Sequence, residues 1–125
     1  MQQRLNALTN QLASEGIAVW DWAIDDWGLY IRREKLILLR AGMTTPQRLA
    51  ALTHETIHHY AGHDGHQSAA TEARVNREVA KILISPDDYR LAERLHHGSA
   101  AGIAYELDLP LWVVDAYREN LERVA

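Results

Sequence analysis

His54-Glu55-Thr56-Ile57-His58 lies near the middle of the chain, inside a segment that is predicted to be helical from Pro46 to about Ala61. Thr45 offers a capping hydroxyl, Pro46 suits the first helical position, and Gly62 follows the end of the segment. Two histidines four residues apart share one helical face, so both imidazoles can reach one tetrahedral metal ion. The intervening Glu55 can reach a water molecule on that ion. The stretch therefore predicts half of a zinc site, with Glu55 as the general base.

A helical wheel separates the apolar side of this segment from its histidines. The core-like stripe consists of Leu49, Leu52, Thr53, Thr56, Ile57 and Tyr60. His54 and His58 fall on the opposite side, where their neighbours are Ala50, Ala51 and Ala61. A solvated helix face normally carries Lys, Glu and Gln instead of alanine. We therefore favour a metal site over the alternative, an amphipathic helix with two surface histidines.

The third metal ligand must come from outside the motif, and the candidates are Glu72, Glu78, His63 and His66. The next helix is predicted from Ala69 to Ile84, and its periodicity turns Glu72 towards the apolar stripe while Glu78 lies on the charged side. Two histidines and a carboxylate, with water in the fourth position, form a catalytic zinc set. We prefer Glu72, and the glycine-flanked loop keeps His63 and His66 open as alternatives.

The rest of the chain is predicted to be α+β and mostly helical. An apolar stripe predicts a helix at 2–14, and two β-rich runs within 28–40 predict an antiparallel hairpin. We interpret the tryptophans of 17–27 as core residues between solvated aspartates. Leu36–Arg40 is expected to be an exposed edge strand along which an extended substrate could bind. The C-terminal third is predicted to hold a helix from Pro86 to about His96, then a pair resembling a helix-turn-helix at 100–107 and 110–121.

Length and composition narrow the possible function classes. A chain of 125 residues suits a single domain, and its 47% hydrophobic and 24% charged residues are ordinary for a globular protein. No apolar run reaches the roughly 20 residues that span a bilayer. The absence of cysteine excludes disulfides and thiolate metal sites. The N-terminus lacks a signal-peptide pattern, so we expect a cytoplasmic protein without a membrane partner.

The second predicted helix runs Glu72-Ala73-Arg74-Val75-Asn76-Arg77-Glu78-Val79-Ala80-Lys81-Ile82-Leu83-Ile84-Ser85-Pro86. Together with the His-Glu-x-x-His helix, it resembles the ImmA/IrrE family of metallo-endopeptidases over residues 28 to 120. Val75 and Glu78 replace the usual Ala and Phe, and Pro86 comes one residue late, as in compact variants from actinobacterial and phage genomes. The resemblance implies a zincin-like domain in which Glu72 completes the zinc site.

The family resemblance also implies a reaction and a partner. Zn²⁺ held by His54, His58 and Glu72 would activate water and polarise the scissile carbonyl, while Glu55 would move the water proton to the leaving amine. The implied substrate is a protein, plausibly a helix-turn-helix transcriptional repressor. The alternatives are an inactive metal-binding structural protein and a DNA-binding regulator. The net charge of −4 and the acidic helix after Pro110 disfavour direct nucleic-acid binding, so we interpret the C-terminal helix pair as a packing module.

Overall fold

The computed structural model of the protein describes residues 1–124, which form two compact units, one over 1–68 and one that begins at Ala69. Within those residues the chain forms six α-helices and a three-stranded mixed sheet. The predicted α+β class is therefore confirmed, and the single domain expected from chain length stays a prediction. Over the same residues, every helix is too short or too polar to cross a bilayer.

The first unit combines two helices with the sheet. Its elements are α1 (Gln2–Ser14), β1 (Ala18–Trp22), β2 (Gly28–Ile31), a 3-10 turn (Arg32–Glu34), β3 (Leu36–Arg40) and α2 (Thr45–Tyr60). Helix α1 has the predicted bounds, and it buries Leu5 and Leu12 from the predicted stripe. Gly16, at φ +82°, turns the chain from this helix towards β1.

The sheet has the order β1-β3-β2, which confirms the β2–β3 hairpin and corrects the prediction of a purely antiparallel sheet. Lys35 adopts the left-handed conformation in the hairpin turn. Strand β1 pairs in parallel with β3, in a register that sets Ala18 opposite Leu36. Because β3 is paired on both sides, the expectation that Leu36–Arg40 is an exposed edge is wrong. Its Ile37 and Leu39 are fully buried in the core.

The tryptophans of β1 also differ from the prediction. Trp20, Trp22 and the following Trp27 are 57%, 58% and 45% exposed, so the interpretation of core aromatics is wrong for all three. Residues two apart share a face of a strand, and the register puts Trp20 and Trp22 on the face opposite Ile37 and Leu39. Of the intervening residues, Val19 is half-buried and Asp21 is exposed, so β1 is largely exposed on both of its faces.

Helix α2 begins one residue earlier than the sequence predicts. Thr44 rather than Thr45 is the cap: its hydroxyl accepts from the N–H of Gln47, and the Gln47 side chain accepts from the Thr44 N–H in a capping box. Its central stripe is buried as predicted, at Leu49, Leu52, Thr53 and Thr56. Tyr60, which was also placed in that stripe, is the last residue of the helix and is exposed, and its hydroxyl donates to Glu15 just after α1.

The second unit contains the other four helices, α3 (Ala69–Leu83), α4 (Pro86–Leu95), α5 (Ala100–Leu107) and α6 (Leu111–Val124). Ser85 caps α4 as predicted, since its hydroxyl accepts from the N–H of Asp88 at 3.2 Å. Val75 and Val79 of α3 are buried, and α3 packs along α6. Asp108, at φ +55°, makes the short turn between α5 and α6. The likeness of this pair to a DNA-binding helix-turn-helix stays a prediction.

Candidate metal centre

Helix α2 brings its two motif histidines together at their Nε2 atoms. These atoms lie 3.1 Å apart, and the rings meet edge to face with centroids 4.8 Å apart. His58 is buried, whereas His54 is half-buried. Two nitrogen ligands on a tetrahedral zinc ion, each about 2.0 to 2.1 Å from the metal, are about 3.3 Å from each other. The observed separation is close to that value, so both histidines can hold one ion with little movement.

Glu72 supplies the third group of this cluster. The ligand atoms of His54, His58 and Glu72 all lie within 4.8 Å of one another, which puts them close enough to bind one metal ion. Among residues 1–124 these three form the cluster, and the other sequence candidates Glu78, His63 and His66 are outside it. Two imidazoles and a carboxylate suit Zn²⁺ and several other divalent first-row ions.

Glu55 is buried on the same helix and lies against the beginning of β2. It is only 8% exposed. A Cβ atom built on Gly28 would lie 3.0 Å from Cγ of Glu55 and 3.3 Å from its Oε1. Glycine at position 28 therefore leaves the space that the Glu55 side chain occupies. The sequence carried a signal for this contact, because a glycine in a strand often marks a close approach.

His63 lies next to the Nδ1 atom of the His58 ring, whereas His54 lies next to its Nε2 atom. The two Nδ1 atoms lie 2.9 Å apart, and the ring centroids are separated by 5.1 Å. The backbone N–H of His63 also donates to the carbonyl of His58 at 3.0 Å, after Gly62 has turned the chain at φ +74°. Sequence reasoning considered His63 only as a ligand and missed this contact, since loop direction cannot be read from composition.

The last turn of α2 is tied to α1 and β2 by polar side chains. Nδ1 of His59 is 3.0 Å from the Tyr30 hydroxyl, and its Nε2 is 3.3 Å from Oε1 of Glu15. The Tyr60 hydroxyl donates to the other oxygen of Glu15 and lowers the pKa of that carboxyl, with a smaller contribution from His59 in the same direction. Tyr60 therefore has a structural bond rather than a place in the cluster.

Comparisons of the chain with protein-family profiles, with curated proteins and with solved structures find no match. The resemblance to the ImmA/IrrE family therefore stays a prediction from the motif and the helix that follows it. His96 and His97, the remaining histidines, directly follow α4. Nε2 of His96 is 3.2 Å from Oε1 of Glu106, which gives this histidine a partner within the second unit.

Proposed function

We propose that the protein is a zinc-dependent metallo-endopeptidase of the ImmA/IrrE type, with a zincin-like fold. The observation that carries the proposal is the cluster of His54, His58 and Glu72 ligand atoms, together with the buried Glu55 that follows His54 on the same helix. Its proposed substrate is a cytoplasmic protein, plausibly a helix-turn-helix repressor, as the family resemblance implies. The proposal includes a cytoplasmic location and no direct role for DNA.

The donor set fits zinc in both kind and number. Two neutral imidazoles and one carboxylate leave a fourth position for water, which is the arrangement of hydrolytic rather than structural zinc sites. When bound, zinc supplies Lewis acidity that lowers the pKa of a coordinated water and polarises a peptide carbonyl. Side chains of the protein would carry out the remaining steps of the reaction.

Glu55 is the proposed general base. It accepts the proton of the attacking water and returns it to the leaving amine, and such positioned proton transfer contributes about 10²- to 10⁴-fold to a rate. Burial of Glu55 and its contact with Gly28 hold the carboxylate in one place. Pre-positioning of this kind lowers the entropic cost of the reaction.

The free edge of β2 supports a peptide as the substrate class. Strand β2 is at the edge of the sheet, and its Gly28 contacts Glu55. The N–H of Arg40 donates to the Trp27 carbonyl at 3.0 Å. Along an antiparallel pair, successive residues direct their backbone N–H and C=O groups alternately towards and away from the partner strand, and this bond shows that Trp27 directs its carbonyl towards β3. By that alternation, the backbone groups of Gly28 and Tyr30 point away from β3. An extended peptide added there would run past the carboxylate of Glu55.

Metal analysis and one isosteric substitution test the proposal. We expect the purified protein to contain about one zinc per chain, and Glu55→Gln to keep that zinc while cleavage of the substrate falls by about 10²- to 10⁴-fold. His54→Ala is the matched control, because it removes a ligand and should lose the metal as well as the activity. Wild-type cleavage by Glu55→Gln, or a protein that binds no metal, would contradict the proposed mechanism.

A further inference from the structure

His63 is a polar neighbour of the cluster to which the proposed mechanism gives no role. An imidazole that binds a metal through Nε2 must carry its proton on Nδ1, and the partner of Nδ1 fixes the tautomer and the ring orientation. In His58 the Nε2 atom faces His54, and the Nδ1 atom faces Nδ1 of His63 at 2.9 Å. Each ring nitrogen of His58 therefore faces another histidine.

We propose that His63 is a positioning residue that accepts a hydrogen bond from the Nδ1–H of His58. This inference rests on the proposed metal site. His63 acts as the acceptor when its own proton is on Nε2, and its backbone bond to the His58 carbonyl holds its ring beside that of His58. Carboxylates and backbone carbonyls are the usual partners of metal-bound histidines, and here a neutral imidazole takes their place.

Two substitutions at position 63 separate the acceptor from the bulk of the ring. In His63→Asn, the side-chain oxygen can stand close to the place of Nδ1 and can accept the same bond, whereas His63→Leu keeps an apolar bulk without an acceptor. We expect His63→Leu to weaken zinc binding by about 10- to 100-fold and His63→Asn to bind within a few-fold of wild type. His66→Leu, at an exposed position of the same loop, is the matched control and should bind normally.

Zinc affinity, measured by competition with a chelating dye, gives a readout that does not require activity. Circular dichroism of the metal-free variants checks that each one folds. If the wild-type protein binds no zinc, the proposed function fails. If the wild-type protein binds zinc and His54→Ala does not, the positioning role is overturned either by normal affinity in His63→Leu or by equal losses in the Leu and Asn variants.

A separate inference concerns the outer edge of β1. The N–H of Ala18 donates to the Lys35 carbonyl at 3.0 Å, and the N–H of Ala41 donates to the Trp22 carbonyl at 2.9 Å. Strand alternation then directs the backbone groups of Val19 and Asp21 away from β3. Edge strands are usually protected by Lys, Pro or a bulge, and Ala-Val-Trp-Asp-Trp contains neither residue. Its one charge, on Asp21, is paired with Arg48.

The geometry points to β1 of a second copy of this chain as the strand that pairs with this edge. In an antiparallel pair centred on Trp20, Val19 of each copy exchanges backbone hydrogen bonds with Asp21 of the other. Trp22 then lies opposite the small Ala18, and the two Trp20 rings are cross-strand neighbours. A pair centred on Asp21 would instead set two carboxylates opposite each other, which is unfavourable.

The available area sets the expected strength of this dimer. A large aromatic side chain buries about 150 to 250 Å². Since Trp20 and Trp22 are a little over half exposed, four rings contribute about 350 to 550 Å² in all. With the strand edges added, the total stays below the roughly 1,200 Å² of standard interfaces. We therefore expect weak, concentration-dependent association.

Sedimentation velocity over a concentration series tests the dimer. Val19→Pro removes an outward N–H and leaves the β1–β3 bonds in place, so it should weaken association at least tenfold. Trp27→Ala changes another exposed tryptophan outside the paired strand and should associate as the wild type does. A wild-type protein that is monomeric at every concentration, or normal association of Val19→Pro, would overturn the proposal.

The absence of native cysteine allows a direct check of the register. Residues at the centre of a non-hydrogen-bonded antiparallel pair have Cα atoms about 4.5 Å apart, which a disulfide can bridge. Trp20→Cys should therefore form a disulfide-linked dimer on mild oxidation much faster than Trp27→Cys. Equal rates for the two variants would rule out this register.

Discussion

At the residue scale, the contact between Gly28 and Glu55 joins a strand to the proposed base. Gly28→Ala would place a methyl group 3.0 Å from Cγ of Glu55, which is closer than side-chain carbons normally approach. We expect Glu55 to shift and cleavage to fall by about 10- to 100-fold, since small displacements of a reacting group have large effects on rate. Zinc affinity should remain close to wild type, because no ligand is changed.

Steady-state cleavage and zinc affinity, measured on the same preparation, check this expectation. Ile31→Ala is a control on the same strand that adds no group next to Glu55. Full activity in Gly28→Ala would mean that the position of the carboxylate is not held by this contact. A parallel loss in Ile31→Ala would indicate a general effect on β2.

At the element scale, the bond between the end of α2 and Glu15 predicts a pH-dependent stability. The pKa of Glu15 is lowered in the folded protein, chiefly because Tyr60 donates to it. Its proton is then bound more weakly in the folded state than in the unfolded state. The contribution is therefore present above the ordinary carboxyl pKa of 4.5 and is lost as pH falls through the lowered value.

Tyr60→Phe removes the main cause of that shift. Urea unfolding should show a lower free energy of unfolding than wild type at neutral pH and a smaller difference in acid. Tyr105→Phe, at an 84% exposed tyrosine, should follow the wild-type pH dependence. A difference between Tyr60→Phe and wild type that is constant across the pH range would show that Glu15 does not titrate through this bond.

The elements also show how far local sequence signals extend. Helix bounds were predictable within one residue, because caps such as Ser85 and apolar spacings such as Leu5 to Leu12 act within a few turns. The exception is α6, which extends three residues beyond the predicted end at Leu121. The parallel pairing of β1 with β3 was not predictable from the sequence, since it depends on contacts between segments that are distant along the chain. The exposure of Trp20 was missed for a similar reason, because it depends on which parts of the sheet the rest of the chain covers.

The candidate site shows the same difference between local sequence signals and tertiary contacts. Periodicity placed His54 and His58 on one face and turned Glu72 towards the apolar side of its helix, so the cluster could be anticipated. The contacts of Glu55 with Gly28 and of His58 with His63 could not be derived, because each depends on the path of a strand or loop. Sequence pattern therefore identified the members of the cluster, and tertiary structure added the residues that contact His58 and Glu55.

At the scale of the whole molecule, the charge predicts weak affinity for nucleic acid. A net charge of −4 repels the phosphate backbone, and sequence-independent binding depends on clustered Lys and Arg. We expect no specific complex with duplex DNA at physiological salt, with a gel-shift assay as the measurement. A footprint that survives a chelator would favour a DNA-binding regulator over the peptidase.

Metal binding should also change the stability of the whole chain, and this effect distinguishes the ligand candidates. A ligand that binds only the folded state stabilises it by about 2.7 kcal/mol at a hundredfold excess over its Kd. For a chain of this size, that corresponds to a rise in Tm on the order of 10 °C.

Glu72→Gln removes a member of the cluster and should abolish most of this zinc-dependent rise in Tm, whereas Glu78→Gln, at an exposed position of the same helix, should keep it. Thermal unfolding of wild type and both variants, with zinc and with a chelator, measures the difference. A normal zinc-dependent rise in Glu72→Gln beside its loss in Glu78→Gln would refute the assignment of Glu72 as the third ligand.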